Sequence, residues 1–428
     1  MRQSGNGANV APSSLSRYAI LPHRRLPHVV TALGDSRIAA IYTNAGQGSY
    51  SAHSPLNWAN ALSDQRLVVG ATFGVSGDRT DQMIARLNSA IATGAGMLYL
   101  QGGLNDIAQN YPTAGSSGAT AFANIRAMAD AARQAGMIVV IEMEVGSNVI
   151  STSALCGQVN ELNARLYEYA ERTPGILLHD ARPVVLQADF SATAMAYRTG
   201  YTYDGTHVNG RGAYYWAKSL ALLLQSVVPP RAAVRMVGRA EAVGNGRRNY
   251  LVNPCFVPAT GGGANDGTSG TVPSGWSASK SAGATGAFGN EVDAAGLGNH
   301  VVVAATFAAQ GDYVRLYQDV NPASWDVGEV VEGTAKITVN SPVNMAIAHL
   351  NVQANVGGSS YDNFALYGLD TVLGPDEGYT ATVKTRPFVI PAGTKGWLTM
   401  CLWMRGGGAG SANVVVHHAA MRRRETPY

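Results

Sequence analysis

The chain contains 428 residues, more than one ordinary hydrophobic core accommodates, because single domains usually contain about 100–200 residues. Hydrophobic residues make up 46% of the chain and charged residues 14%, a composition that excludes both wholesale disorder and a membrane channel. The formal net charge is only +3, which argues against nucleic acid as the partner. We therefore expect two globular domains.

The first half of the sequence repeats a short apolar run, a loop and an amphipathic segment. This alternation predicts a parallel sheet with helices on both faces, a flavodoxin-like, doubly wound α/β fold. The predicted strands cover residues 28–33, 67–71, 97–101, 137–143 and 176–179, and the predicted helices cover residues 81–92, 120–134, 153–172 and 210–227. Such sheets bind their ligands beyond the carboxyl ends of the strands.

The composition changes after Pro230. Apolar stretches are then separated by clusters of Gly, Ser, Asn and Asp, as at residues 261–270 and 406–411, which is typical of a β-sandwich. The predicted organisation is an N-terminal extension (1–27), an α/β domain (28–230), a linker (231–248) and a β-sandwich domain (249–428).

Targeting and metal-binding signals are not evident in the sequence. Residues 1–27 lack the apolar core of a signal peptide, and no run of 18 apolar residues predicts a membrane span. Cys156, Cys255 and Cys401 lack the spacing of a zinc site, so we expect no metal. Cys255 and Cys401 could form a disulfide only if the first strand of the second domain neighbours a late one.

Four short motifs follow one another at loops of the predicted sheet. Gly34-Asp35-Ser36 comes directly after the first strand. The others are Gly-Val-Ser-Gly-Asp at 74–78, Gly-Leu-Asn-Asp at 103–106 and Asp-Gly-Thr-His at 204–207. Because three of them lie at or just beyond carboxyl ends of neighbouring strands and the fourth precedes the last helix, we expect them to converge.

These motifs supply the groups that acyl transfer requires. That reaction needs a nucleophile, a base, a carboxylate that orients the base, and donors aimed at the oxyanion. Ser36, His207 and Asp204 provide the first three. The donors would be the backbone N–H groups of Ser36 and Gly77 and the side-chain amide of Asn105; without a Cβ, the backbone at Gly77 could approach a substrate closely.

In order and spacing, the motifs resemble those of the SGNH (GDSL) hydrolase family over residues 29–227. The resemblance implies a serine esterase that works without a cofactor. It assigns the nucleophile to Ser36, the oxyanion donors to Gly77 and Asn105, and the remaining catalytic pair to Asp204 and His207.

The sequence departs from the family pattern at Arg37 and Ile38, where the name-giving motif continues with leucine, and this leaves the substrate open. Arg37 could steer an anionic substrate, or it could be a solvated or ion-paired surface residue. No Gly-x-Ser-x-Gly motif occurs, which disfavours the nucleophile elbow of α/β-hydrolases.

Other acidic residues and one histidine compete for catalytic roles. His179-Asp180 is a rival dyad, but adjacent residues on a strand point to opposite faces. Asp35, Asp78 and Asp106 are expected to fix loops as hydrogen-bond acceptors rather than to act in catalysis.

One segment of the second half has the pattern of a central strand. From Trp397 to Met404, four apolar residues alternate with Trp397, Thr399, Cys401 and Trp403, so that both faces are covered. Trp397 and Trp403 could stack on sugar rings, or they could pack in the core or against the first domain. Residues 253–256 with Pro273 and Trp276 resemble the opening of jelly-roll carbohydrate-binding modules.

The function expected from these features is removal of O-acetyl groups from a polysaccharide through an acyl-enzyme on Ser36, with the β-domain holding the polymer. A lipase or thioesterase acting on longer acyl chains is one alternative. A phage-tail or adhesin-type glycan-binding component with a vestigial hydrolase domain is another. We expect an extracellular or virion-associated location; the oligomeric state, the sugar and the acyl length stay open.

Overall fold

The computed structural model describes residues 28–43, 48–187, 195–231, 249–368 and 373–424. The predicted N-terminal extension, and all of the predicted linker except Arg231, lie outside the described residues. The first domain contains a five-stranded sheet, in which every strand pair is parallel and the strand order is β2-β1-β3-β4-β5. Its strands are β1 (Val29–Gly34), β2 (Val68–Gly74), β3 (Met97–Gln101), β4 (Ile138–Glu142) and β5 (Ile176–His179).

This strand order is that of a flavodoxin-like sheet, so the predicted fold class is confirmed. The chain steps outward from β1 to β2 and then returns past β1 to β3. Because such crossovers are right-handed, the reversal places helices on both faces and makes the gap between β1 and β3 the switch point at which ligands bind.

The helices of the first domain largely follow the prediction. They are α1 (Ser36–Ala39), α2 (Pro55–Leu62), α3 (Thr80–Ile84), α4 (Leu87–Ala92), α5 (Leu104–Ala108), α6 (Ser117–Gln134), α7 (Ser153–Arg172), α8 (Arg182–Val185) and α9 (Gly210–Val227). α7 and α9 have the predicted bounds, and α6 begins three residues before the predicted start at Thr120.

Two differences from the predicted helices have local causes. The prediction of a single helix over 81–92 is wrong, since this segment forms two helices, α3 and α4, separated by a turn at Arg86. Arg86 donates to the carbonyl oxygens of Phe73 and Gly34 and pairs with Asp78, which ties this turn to the strand ends. α2 was not predicted because seven of its eight residues are buried, so it shows no polar face.

The second domain is built on a sheet that folds back on itself. Its strands are β6 (Gly263–Ala264), β7 (Ser269–Gly270), β8 (Ser277–Lys280), β9 (Ala284–Val292), β10 (Asn299–Phe307), β11 (Tyr313–Val320), β12 (Val330–Val356), β13 (Ser359–Ala365), β14 (Tyr379–Lys384), β15 (Phe388–Val389) and β16 (Lys395–Arg424). β12 and β16 pair along almost their whole length, with register shifts near Asn340 and Met345. A Cβ at Gly333 would lie 2.6 Å from Val352, so the two halves of β12 face each other and enclose the core, consistent with a β-sandwich.

The two domains share a buried aromatic cluster. The ring of Trp58 on α2 meets those of Tyr214 on α9 and Tyr379 on β14 edge-on, each with centroids 5.4 Å apart. All three residues are buried. Lys218 pairs with Glu377, and the guanidinium of Arg386 donates to the carbonyl of Gly48. The second domain therefore covers apolar surface of the first.

Candidate active site

Ser36 lies at the switch point of the sheet. β1 ends at Gly34, and Ser36 is the first residue of α1, for which Asp35 is the N-cap. The Asp35 carboxylate accepts from the backbone N–H of Arg37 at 2.9 Å. A Cβ on Gly34 would lie 2.3 Å from the carbonyl oxygen of Gln101 on β3, so only glycine fits where the chain turns. The turn leaves Ser36 partly exposed.

Asp204 and His207 lie on one tight loop, closed by an antiparallel bridge between Thr202 and Val208. The Oδ1 atom of Asp204 accepts from the backbone N–H groups of Thr206 and His207, at 2.9 and 2.7 Å. These bonds place both side chains on the same side of the loop.

Gly205 lets this loop form. Its φ of +85° lies in the left-handed region, which a side chain rarely adopts. A Cβ there would also collide with the amide of Asn148.

The three predicted catalytic side chains form one chain of hydrogen bonds. His207 Nε2 lies 2.7 Å from Ser36 Oγ, and His207 Nδ1 lies 2.6 Å from Asp204 Oδ2. Both distances lie within the range required between nucleophile, base and orienting group. The arrangement can remove the hydroxyl proton of Ser36 while a carboxylate holds the imidazole in place.

The predicted oxyanion donors Gly77 and Asn105 follow β2 and β3, the two strands that flank β1 and therefore Ser36. Asn105 donates from Nδ2 to the carbonyl of Asp78 at 2.9 Å, and this bond orients its amide. Because a primary amide carries two N–H bonds, one remains for a ligand. Gly77 is exposed and has a φ of +83°.

The backbone conformation at position 77 gives a further reason for glycine, beside the predicted close approach to a substrate. A Cβ there would meet nothing within 4 Å, so close packing does not require glycine. The left-handed backbone conformation does require it.

The acidic residues beside these motifs fix loops, as expected. Asp106 accepts from the backbone N–H and the hydroxyl of Thr80, at 2.9 and 2.6 Å, and Asp78 pairs with Arg86. The predicted weakness of the His179-Asp180 dyad also agrees with the geometry. His179 bonds to Glu142 at 2.7 Å and to Ser219 at 2.9 Å. Asp180 instead pairs with Arg182 at 2.8 Å.

Asp204 and Asp35 have opposite electrostatic environments. Burial alone would raise the pKa of Asp204, but hydrogen bonds from the backbone and side chain of His207 outweigh burial and hold that pKa below its ordinary value. Burial raises the pKa of Asp35 to about 6, and the charge of Arg37 opposes the shift only in part. Asp204 is therefore the more readily ionised of the two.

The position of Arg37 corrects the prediction of a surface residue. Arg37 is 7% exposed and pairs with Glu144 at 2.6 Å, and it also donates to the carbonyl of Gly146 at 2.8 Å. An anionic substrate would have to compete with a buried carboxylate for the same guanidinium. Arg37 is thus ion-paired, as one of the two predicted alternatives has it, but the pair is buried rather than at the surface.

Two aromatic residues near His207 were not predicted as part of the site. Tyr203 is 60% exposed, and its ring stacks on that of His207 with centroids 5.7 Å apart. The ring of His53 lies 5.4 Å from that of Tyr203. The only sequence signal was the position of Tyr203 directly before Asp204. Both residues line a cavity of about 20 Å³ that also contacts His207, enough for about one water molecule.

The predicted central strand around Trp403 is confirmed, because β16 pairs with β11 on one side and with β12 on the other. Its two tryptophans differ. Trp397 is 37% exposed. Trp403 carries the guanidinium groups of Arg405 and Arg315 at 4.4 and 5.0 Å from its ring centroid, so it is not a bare platform for a sugar.

Cys156, Cys255 and Cys401 form no disulfide, so the open question of a Cys255–Cys401 disulfide is answered in the negative. Among the described residues, no group of three or more His, Cys, Asp or Glu side chains is arranged to hold a metal ion. Within the same ranges, no helix is long and apolar enough to cross a membrane.

The first domain also matches a known protein family. Residues 32–214 match the model of the GDSL-like Lipase/Acylhydrolase family, a span that includes every residue of the predicted catalytic and oxyanion set. No curated protein matches the chain.

Solved structures resemble parts of the chain at low identity. A catalytic mutant of an acetylxylan esterase from Geobacillus stearothermophilus is 15% identical, covering 47% of this chain and 96% of its own, with a TM-score of 0.37. A member of the lipolytic protein G-D-S-L family from Veillonella parvula is 18% identical, covering 46% and 98%, with a TM-score of 0.33. A protein from a study of carbohydrate-binding modules of the β-sandwich superfamily is 15% identical, covering 34% and 56%, with a TM-score of 0.25.

The family match and the sheet topology together define the first domain. It is a GDSL/SGNH hydrolase domain, and its activity class is that of an esterase or acylhydrolase acting on an ester substrate.

Proposed function

We propose that the protein is a serine esterase that removes O-acetyl groups from a polysaccharide. The observation that carries the proposal is the continuous set of hydrogen bonds from Asp204 through His207 to Ser36. In the proposed reaction, His207 accepts the Ser36 proton while Oγ attacks the ester carbonyl carbon. Asp204 stabilises the imidazolium that forms.

The negative charge that develops on the carbonyl oxygen would be stabilised by three donors. These are the backbone N–H groups of Ser36 and Gly77 and the second amide N–H of Asn105. Collapse of the tetrahedral intermediate breaks the bond to the alcohol, whose oxygen takes the proton from His207. Water then attacks the acyl-serine by the same route, releasing the carboxylic acid and restoring Ser36.

The space around His207 favours a short acyl group. The cavity that His207, Tyr203 and His53 line has a volume of about 20 Å³, and a long acyl chain needs a preformed apolar groove many times larger. An acetyl group needs none.

The surroundings also favour a sugar as the alcohol part. Tyr203 presents a ring that is 60% exposed next to the imidazole that would protonate the leaving oxygen. Flat aromatic rings contact the apolar faces of pyranoses well, and the phenol can add a hydrogen bond. A polymer of this kind is too large to enter a cell, which supports the proposed extracellular or virion-associated location.

Acetate release tests the proposal. We expect hydrolysis of p-nitrophenyl acetate to exceed that of the butyrate and octanoate esters, and acetate to be released from an acetylated polysaccharide. Tyr203→Ala should lower kcat/KM on the polymer more than on p-nitrophenyl acetate. Tyr167→Ala, which removes a tyrosine that is 58% exposed on α7, is the matched control and should change neither.

Three results would contradict the proposal. A preference for the octanoate ester would indicate a lipase. Hydrolysis of small acetyl esters without any acetate release from polysaccharides would show that the substrate is not a polysaccharide. No hydrolysis of any ester would indicate a vestigial hydrolase domain.

A further inference from the structure

The outer face of the β-sandwich carries a row of arginine and aromatic side chains. On β11 and β16, Tyr313 pairs with Arg405 and Arg315 pairs with Trp403 across the strands, and Tyr317 follows on β11. The intervening residues Val314, Leu316, Leu402 and Met404 are buried in the sandwich core. Because side chains alternate along a strand, the row lies on the opposite face, where its members are partly exposed. We call these five residues the arginine–aromatic face.

The rings hold the two guanidinium groups in place. Arg315 lies 4.7 Å from the centroid of the Tyr317 ring and 5.0 Å from that of Trp403. Arg405 lies 4.4 Å from the centroid of Trp403. Tyr313 meets Trp403 edge-on at 4.9 Å. Stacked guanidinium groups of this kind keep their N–H edges available for a ligand and lose little conformational entropy on binding.

Neither arginine has a carboxylate partner among the described residues. Arg315 donates from Nε to the Ser279 hydroxyl at 2.5 Å, and its charge also lies beside the buried Cys401 thiol. Elsewhere in the same domain the opposite holds, since Arg422, Arg424 and Lys384 all pair with Glu332.

The nearest acidic residue along β11 is Asp319. It lies two residues beyond Tyr317 on the same face and accepts a hydrogen bond from Thr399 on β16. Two neighbouring, partly exposed positive charges thus lie on this face without a counter-charge between them.

We infer that the arginine–aromatic face binds a polysaccharide that carries carboxylate groups, such as a uronic acid polymer. A guanidinium binds a carboxylate through two parallel charge-assisted hydrogen bonds, and the tyrosine rings can contact the sugar rings between the charges. A neutral glycan would leave the arginine charges unmatched. This inference rests on the proposed function, because it names the class of polymer that would bring ester groups to Ser36.

Binding to polygalacturonic acid tests the inference, with the same polymer after chemical reduction of its carboxyl groups as the neutral comparison. The full chain carrying Ser36→Ala is used so that no ester chemistry accompanies binding, and calorimetry gives the affinity. We expect the acidic polymer to bind and the reduced polymer to bind at least roughly tenfold more weakly. Raising the salt concentration should weaken the binding of the acidic polymer.

Variants then locate the binding site. Arg315→Gln and Arg405→Gln should each weaken binding of polygalacturonic acid by roughly tenfold, and Arg405→Lys by less, since it keeps the charge but loses the planar fork. Arg165→Gln removes an exposed arginine from α7 and is the matched control, with unchanged binding expected. Thermal melting of each variant identifies any that fail to fold. The comparison of the acidic with the reduced polymer uses none of these arginine variants, so it tests the inference even if they fail to fold.

Equal affinity for the acidic and the reduced polymer would overturn the inference, as would full binding by a folded Arg315→Gln, Arg405→Gln double variant. No binding of polygalacturonic acid, or equal binding of a single-stranded oligonucleotide, would also overturn it. These results are independent of the proposed esterase function. That proposal fails instead if the unmutated chain releases no acetate from polysaccharides, whatever the Ser36→Ala protein binds.

Discussion

The carboxylate of Asp204 binds both the side chain and the backbone of His207, through Oδ2 to Nδ1 at 2.6 Å and through Oδ1 to the N–H at 2.7 Å. One residue therefore shapes the loop and orients the imidazole. An asparagine at this position keeps an oxygen for the backbone bonds but cannot stabilise an imidazolium.

Asp204→Asn should consequently lower kcat on p-nitrophenyl acetate by about 10²–10⁴ while KM changes little. Steady-state kinetics measure both constants, and circular dichroism checks that the loop variant stays folded. A folded variant with nearly unchanged kcat would show that the orienting carboxylate lies elsewhere.

Asn105→Ala removes a proposed oxyanion donor. We expect kcat to fall by roughly 10²–10³ with KM little changed, because the contact strengthens only as charge develops on the substrate oxygen. Asn88→Ala is a suitable control, since Asn88 is an exposed asparagine on α4 that is not part of the proposed site. An effect on KM alone would make Asn105 a ground-state binding residue.

Burial of Asp35 predicts a pH-dependent change in stability. Because the pKa of Asp35 is raised to about 6 in the folded protein, stability falls as the pH rises from about 4 to about 6, and the loss is complete above this range, whereas at lower pH the group is protonated in both states. Asp35→Asn keeps an acceptor for the Arg37 N–H, so it should raise the free energy of unfolding by about 2–3 kcal/mol at pH 8 and by little at pH 4. Urea unfolding at both values measures the difference, and a gain of equal size at both would show that the charge of Asp35 is not its cause.

Tyr379 lies in the second domain but packs on Trp58 and Tyr214 of the first. Tyr379→Ala should therefore destabilise the hydrolase domain by about 3 kcal/mol through loss of buried aromatic contacts. The readout is the temperature at which esterase activity is lost. Tyr167→Ala, at an exposed site, should leave it unchanged. If the two variants lose activity at the same temperature, the domains are energetically independent.

Much of the catalytic site could be predicted because its residues belong to short motifs at strand ends. Ser36 follows β1, Asn105 follows β3, and Asp204 and His207 are three residues apart, so local sequence carries most of the geometry. The surroundings could not be predicted in the same way. Arg37 is buried by Glu144, a partner 107 residues away, and no local pattern signals that pairing.

The same limit applies to the second domain. Alternation predicted that Trp403 lies on a central strand, but only the pairing of β16 with β11 shows that Arg315 lies over its ring. α2 was not predicted because the second domain packs on the side of this helix that faces away from the first domain, a side that is polar in most surface helices. Its burial depends on tertiary contacts such as that of Trp58 with Tyr379.

Trapping the acyl-enzyme tests the central claim most directly. The wild-type chain and Ser36→Ala would be mixed with p-nitrophenyl acetate, quenched in acid and digested, and the peptide that contains position 36 examined by mass spectrometry. We predict one acetyl group on Ser36 of the wild-type protein, and neither acetylation nor ester hydrolysis in a folded Ser36→Ala protein. Acetylation of a different residue, or full hydrolysis by Ser36→Ala, would contradict the account.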